Sequence, residues 1–300
     1  MSPERAPRPR SARGSLTFLA YRSAARLAQA LPAGGLPAVG RVGGRVGGWP
    51  QRARRRMAAR HQQRVTGRAD RHAVDDVFEH YGRYWLEMLR LPADVRDGVI
   101  TPNFTVDGYE HITDGLAAGR GVILALPHLG GWEWAAAWMA EQGHEMLAVV
   151  EDLEPPQLLE WFARQREAMG LEVVALGPNV SKVVLKALRD NRIVCLLSDR
   201  DITGDGVEVE FFGERTTLPA GPATLALRTG ASLLPVAVYF AEGRGHRGVI
   251  RPPVPVERTG RLRADIARIT QSLAHELEEL IRAAPEQWHL LQPNWPSDRR

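Results

Sequence analysis

A single cysteine, Cys195, is present in 300 residues, so neither an internal disulfide nor a cysteine-based zinc site can form. It lies in the apolar run Ile193-Val194-Cys195-Leu196-Leu197, where a small buried hydrophobe fits better than a nucleophile. Long apolar runs are also missing. Stretches such as Val122 to Leu126 fall far short of the ~20 residues needed to span a bilayer, so no transmembrane helix is expected. Neither a Gly-x-Ser-x-Gly elbow nor a Gly-x-x-x-x-Gly-Lys-Ser/Thr loop occurs, which removes two common catalytic designs. Lysine is nearly absent: of 39 basic residues only Lys182 and Lys186 are lysine, a bias that GC-rich codon usage explains and that says little about mechanism. With 44% hydrophobic and 25% charged residues, the composition is that of a globular protein and excludes a mainly disordered or fibrous chain.

Charge is unevenly spread. Residues 1–72 hold 16 arginines against only Glu4 and Asp70, a balance of +14, which leaves −10 for the other 228 residues of a chain whose net charge is +4. Such asymmetry calls for an anionic partner at the N-terminal end: a membrane surface, a nucleic acid or a charged substrate. Residues 1–14 are polar and proline-bearing and are expected to be disordered. Residues 15–72 read as a basic, amphipathic, helical membrane-contact region. Leu16, Leu19, Leu27 and Leu31 share a helical face with Ala20 and Ala24, while Arg22 and Arg26 fall together on another. Arginine interrupts the apolar segment, which argues against a secretory signal peptide. An interfacial helix would bury the leucines at the acyl boundary and set the arginines against lipid phosphates; the alternative is a helix packed on the core with two solvated arginines. After the Gly-rich stretch Gly34 to Gly48, the basic run from Gln51 to Arg64 reads as a solvated helix face. No zinc module or recognition helix accompanies it, and no nucleic-acid partner is expected.

Residues 73–300 read as one α/β domain, a central mostly parallel or mixed sheet with helices on both faces. Asp75 to Leu91 has helical periodicity, and Gly121 to Leu126 is a short continuous apolar run suited to a strand buried on both faces. A helix at Trp132 to Gln142, a strand at Met146 to Val150, a helix at Pro156 to Met169 and a strand at Glu172 to Ala175 follow. Further elements are expected at Val180 to Arg189 (helix), Ile193 to Leu197, Ser232 to Phe240 and Gly248 to Ile250 (strands), and Leu262 to Ala283 (helix).

The richest chemistry lies at His128-Leu129-Gly130-Gly131-Trp132-Glu133. A buried strand would deliver His128 to the carboxyl edge of the sheet, where open α/β folds place ligands. Glu133, in the first turn of the next helix, is expected to fold back on the imidazole, fix its tautomer and stabilise the imidazolium. Backbone N–H groups of the glycines and the helix start are candidates to stabilise an oxyanion. The same residues also fit a bland role, since a histidine before a helix is commonly a cap and an early glutamate favours the macrodipole. No second histidine or carboxylate follows at metal-ligand spacing.

The His128-x-x-x-x-Glu133 pattern after an apolar strand resembles the His-x-x-x-x-Asp/Glu motif of glycerolipid-type acyltransferases, and specifically the lipid A late acyltransferase family. Tyr84 to Pro92 looks like that family's upstream helix. Leu196 to Asp201 with Gly206 to Val209 looks like its second block, and Phe211 to Glu214 through Leu218 to Ala223 looks like its third. The blocks occur in the family's order between about residues 75 and 295. Near the C-terminus, Trp288-His289-Leu290-Leu291-Gln292 stands where lipid A enzymes carry a His-Arg-Arg triplet, and it resembles phosphatidylinositol mannoside acyltransferases of actinobacteria.

The resemblance implies acyl transfer from acyl-CoA, as donor substrate rather than cofactor, to the 6-hydroxyl of the mannose on position 2 of the inositol ring, with no metal. His128 would be the general base and Glu133 its partner. Arg164 and Arg166 are candidates to bind donor or glycolipid phosphate, with Arg166 the better match; a solvated helix face is the alternative for both. Asp199, Arg200 and Glu208 are further candidates at the substrate site, and Asp199 is preferred over Glu208 as a second carboxylate near His128. Ser198 is a conceivable nucleophile without an evident base. Trp132 and Trp134 are candidate acyl-groove residues, core packing being their alternative. The expected location is the inner membrane, peripheral or monotopic on the cytoplasmic face. The competing readings are the same chemistry on a lipid A precursor, thioester hydrolysis, and a non-enzymatic membrane-binding protein in which His128 is structural.

Overall fold

A computed structural model describes residues 12–151 and 156–299. Four helices come first: α1 (Ala12–Ala30), α2 (Leu36–Gly48), α3 (Arg52–Thr66) and α4 (Arg71–Arg96). There follow β1 (Phe104–Asp107), α5 (Tyr109–Ala117), β2 (Val122–Leu126), α6 (Trp132–Glu141), β3 (Met146–Val150), α7 (Pro156–Glu167), β4 (Leu171–Ala175), α8 (Val180–Arg189) and β5 (Ile193–Leu197). The chain ends with β6 (Val207–Phe211), β7 (Glu214–Leu218), α9 (Gly221–Thr229), β8 (Ser232–Phe240), β9 (His246–Ile250) and α10 (Leu262–Ala283).

Seven strands form one sheet in the order β1-β9-β8-β2-β5-β3-β4, parallel throughout except for the antiparallel β8/β9 pair, and β6 and β7 make a separate antiparallel hairpin. The expected mixed α/β sheet is therefore present. All five residues of β2 are buried. Its alternate residues serve two cores: Ile123 and Ala125 join α8, α9 and α10 on one face, whereas Val122, Leu124 and Leu126 join α5 and α6 on the other. Cys195 points into the second core, where burial pushes its thiol up to about 12; it is a small hydrophobe in this fold.

The N-terminal helices dock on α4 through two devices. Gly40, Gly44 and Gly48 recur every fourth residue on α2 and face Phe78 and Gly82 of α4; a Cβ at Gly44 would lie 2.0 Å from the Phe78 carbonyl oxygen. The Gly-rich stretch is thus a helix, its poor intrinsic propensity offset by backbone contact that no larger residue permits. Arg90 of α4 meanwhile donates to the carbonyls of Ala28, Gln29 and Leu31, capping α1 at its C-terminal end. Arg90 also pairs with Asp94 at 3.0 Å, an i,i+4 bridge spanning Pro92; the helix runs from Arg71 to Arg96, beyond both ends of the expected Asp75 to Leu91.

Ala25 and Ala28 face inward on α1, whereas Leu16, Leu19 and Leu27 are exposed. Val39, Val42 and Val46 are exposed on α2, as is Trp49 just past its end. Of the region expected to be disordered, residues 1–11 lie outside the described residues and Ala12 to Gly14 belong to α1. Among the described residues no helix is long and apolar enough to cross a membrane. The basic helix α3 is only partly a solvated face. Arg55 pairs with Asp75 at 2.6 Å, and Arg64 reaches Asp298 at 2.8 Å while lying over the Trp295 ring.

Candidate active site

Two neighbouring strands build the centre of the site. Parallel pairing sets Leu126 of β2 opposite Leu197 of β5. Two residues beyond each, the chain presents His128 and Asp199 side by side at the carboxyl edge. His128 Nδ1 lies 2.6 Å from Asp199 Oδ1, and the His128 backbone N–H donates to Asp199 Oδ2 at 2.9 Å. Asp199 is fully buried, and its Oδ2 also accepts the Trp288 indole N–H at 2.8 Å. Burial acts to lower the His128 pKa, but the Asp199 carboxylate outweighs it, and the imidazole is held above its ordinary value. In return, Asp199 is held below the usual carboxylate range, with the imidazole and the Trp288 donor overcoming its burial. With Nδ1 given to Asp199, the ring is 31% exposed and lines the adjacent cleft, and no hydrogen bond among the described residues occupies Nε2.

Glu133 does not take the place expected of it. Its Oε1 accepts from the Tyr84 hydroxyl at 2.9 Å and from Arg166 at 3.0 Å, and its side chain is 2% exposed. The first turn of α6 aims this carboxylate at α4 and α7, so the partner of His128 comes from the neighbouring strand. Burial and the Glu133 charge hold the Tyr84 phenol well above its ordinary pKa, as a donor. Arg166 is accordingly committed to neutralising Glu133, and it sits near the rings of Trp132 and Phe162. Arg166 also lines the cleft, so the expected phosphate contact would be made by a guanidinium already paired with Glu133.

Arg164 lies on the solvent face of α7, 61% exposed and 3.7 Å from Glu160. Glu208 is on the β6–β7 hairpin, 69% exposed and paired with Arg215 at 3.4 Å. Neither lines the cleft, because each projects from the outward face of its element. Arg200 does line it, 21% exposed and 4.0 Å from Glu151. Ser198 is buried and donates to the Leu196 carbonyl, away from any base. Trp132 borders the cleft, whereas Trp134 stacks on His246 at 4.2 Å in the core.

The paired glycines shape the turn and are not free as donors. Gly130, at φ +58°, would place a Cβ 1.7 Å from the Val238 oxygen, so only glycine fits. Its N–H donates to the Gln287 carbonyl and that of Gly131 to Val238, which removes both from the expected oxyanion site. The C-terminal segment that supplies Gln287 was missed as part of the site. His289 N–H donates to the His128 carbonyl at 2.7 Å, and Asn294 donates to the Asp199 carbonyl at 2.9 Å. The Trp288–His289 dipeptide was visible in the sequence, but nothing local connected it to residues 128 and 199.

The cleft encloses about 460 Å³. From His128 it extends between α8 and α9, where Val184, Leu185 and Leu225 give it an apolar wall, and Arg200 and Asp201 give a polar edge beside the histidine. Its volume is in the range of pockets that enclose small organic ligands, and its apolar arm suits hydrocarbon. Among the described residues no cluster of histidine, cysteine and carboxylate groups is arranged to hold a metal ion.

Comparison with known proteins identifies the family. Residues 13–297 match the profile of a family described as bacterial lipid A biosynthesis acyltransferase. A phosphatidylinositol mannoside acyltransferase of Mycolicibacterium smegmatis is 37% identical over 295 residues, 95% of this chain and 93% of that one. A protein of the same name from Mycobacterium tuberculosis is 42% identical over 224 residues, covering 73% and 69%. A lipid A biosynthesis acyltransferase of Haemophilus influenzae is 29% identical over 187 residues, covering 60% and 55%. With its matched profile running almost from end to end, the chain belongs to the bacterial lipid A biosynthesis acyltransferase family and is an acyltransferase.

Proposed function

We propose that this acyltransferase moves a fatty acyl chain from acyl-CoA to a mannose hydroxyl of a phosphatidylinositol mannoside. The observation that carries the chemistry is the His128–Asp199 pair beside a cleft with an apolar arm. The Mycolicibacterium and Mycobacterium relatives, both named for that acceptor and both more similar than the lipid A relative, support the choice of substrate.

In this reading Asp199 holds the proton on Nδ1, so Nε2 takes the proton of the acceptor hydroxyl. The hydroxyl oxygen attacks the thioester carbonyl, a C–O bond forms, and the tetrahedral intermediate collapses with cleavage of the C–S bond. The departing thiolate recovers the proton from His128, so no acyl-enzyme arises. Glu133, Tyr84 and Arg166 hold α4, α6 and α7 together under the cleft. An acceptor series tests the substrate: labelled palmitoyl-CoA offered with a phosphatidylinositol mannoside, a lipid A precursor or no acceptor. Label on the mannoside is expected; label on the lipid A precursor alone would transfer the proposal to that substrate, and thioester loss without acceptor would indicate hydrolysis.

The exposed leucines of α1, the valines of α2 and Trp49 at its end support a second element of the proposal, peripheral docking on an anionic membrane. Both elements rest on α4, whose Tyr84 and Trp85 line the cleft, so a bilayer-bound acceptor would meet the site from that side. Full binding to vesicles containing phosphatidylinositol is expected for the wild type, with at least about tenfold weaker binding after Leu19→Asp with Val42→Asp. Equal binding of the two proteins would contradict the docking surface.

A further inference from the structure

We propose that Trp288 is a positioning residue for acyl transfer: its indole N–H pins one oxygen of Asp199 so that the other is held on His128 Nδ1. The inference deepens the reading of His128 as general base and rests on it.

A carboxylate beside an imidazole can rotate, and either oxygen could then face Nδ1. Here Oδ2 is occupied from two sides, by Trp288 Nε1 at 2.8 Å and by the His128 backbone N–H at 2.9 Å, which leaves Oδ1 for Nδ1 at 2.6 Å. Trp288 is itself fixed. It is 2% exposed, forms a β-bridge with Leu129, and packs edge-on against Trp295 and Phe211. His289, its neighbour, binds the His128 carbonyl, and Asn294 binds that of Asp199. A single C-terminal segment therefore grips both members of the pair by backbone and holds the carboxylate by one side-chain donor. Trp288 does not line the cleft, so its influence on the reaction passes through Asp199.

The charged and titratable groups around the imidazole come from several elements. Asp199, Arg200 and Asp201 follow β5, Glu151 follows β3, and His289 lies on the C-terminal segment. Tyr84 of α4 and Arg166 of α7 line the same cleft. Removing the indole donor changes none of these charges. It leaves Asp199 with one fewer hydrogen bond, a more basic carboxylate and a freer rotation.

The experiment compares wild type with Trp288→Phe and with site-specific benzothienylalanine at 288, which keeps the bicyclic shape and replaces N–H by sulfur. The His128 imidazole is titrated by NMR, its signal assigned by its loss in His128→Gln, and kcat and KM for palmitoyl-CoA are measured on the same proteins. Both replacements are expected to move the His128 titration upward by roughly half a pH unit. They are also expected to lower kcat by roughly 10- to 100-fold with donor KM unchanged, as loss of orientation does. An unmoved titration in the benzothienylalanine protein would overturn the proposal, whether or not kcat falls, because packing alone would then account for Trp288. The titration needs no turnover. A His128→Gln enzyme that still transfers acyl chains would defeat the general-base reading while leaving the hydrogen-bond chain measurable.

Discussion

Asp199→Asn should lower kcat by about 10³- to 10⁴-fold, the scale seen when the carboxylate behind a general-base histidine becomes an amide. The reason is specific to this geometry. The position of Oδ2 is defined by two donors, Trp288 Nε1 and the His128 backbone N–H, so the amide oxygen of an asparagine settles there. Its NH2 group then faces Nδ1, selects the tautomer protonated at Nε2, and leaves nothing to accept the acceptor's proton. The residual activity should also titrate differently. In the wild type the His128 pKa is raised, so neutral imidazole, and with it kcat/KM, is gained only as pH rises through a value above the ordinary one. Without the carboxylate, burial lowers the pKa and the acid limb moves to lower pH. A full-activity Asp199→Asn enzyme with an unmoved limb would show that Asp199 does not act on His128.

The same pair has a stability signature of fixed sign. Because the folded His128 pKa is raised, its contribution is complete below the unfolded value of about 6.5 and is lost as pH climbs through the folded one. The lowered Asp199 pKa acts oppositely: its contribution is present above about 3.9 and is lost as pH falls through the depressed folded value.

Glu133→Ala is expected to damage the fold more than the chemistry. The change leaves Arg166, only 12% exposed, without its counter-ion and strips the acceptor from the Tyr84 hydroxyl. Breaking a buried pair in this way costs roughly 3–5 kcal/mol, to be read from urea unfolding midpoints. Glu133→Ala with Arg166→Met removes both charges and should recover a large part of that loss. Single and double variants that unfold like wild type would contradict a structural role for the pair.

Much of the fold is legible because buried parallel strands are short continuous apolar runs, as β2 and β5 are. Other elements lacked such a signal. In the hairpin β6–β7, the second strand is four consecutive polar residues, Glu214 to Thr217, before Leu218, and α2 carries five glycines, three of which face Phe78 and Gly82 of a distant helix. The site divides in the same way. His128 announced itself by following β2 and preceding a glycine turn. Its true partner depended on β5 lying next to β2, and that adjacency is set by two intervening strands and crossovers. Glu133, near in sequence, drew attention that belonged to Asp199, 71 residues away. Local spacing cannot rank those two carboxylates; strand order can.

The most direct measurement is labelled acyl transfer from palmitoyl-CoA to a phosphatidylinositol mannoside by wild type and by His128→Ala, with the protein itself analysed for bound label. Ester on the mannose is expected with wild type, with loss of at least about 10³-fold in the variant and no label on the protein. Undiminished transfer by His128→Ala, or a stable acyl group carried on the wild-type chain, would contradict direct transfer with His128 as the base.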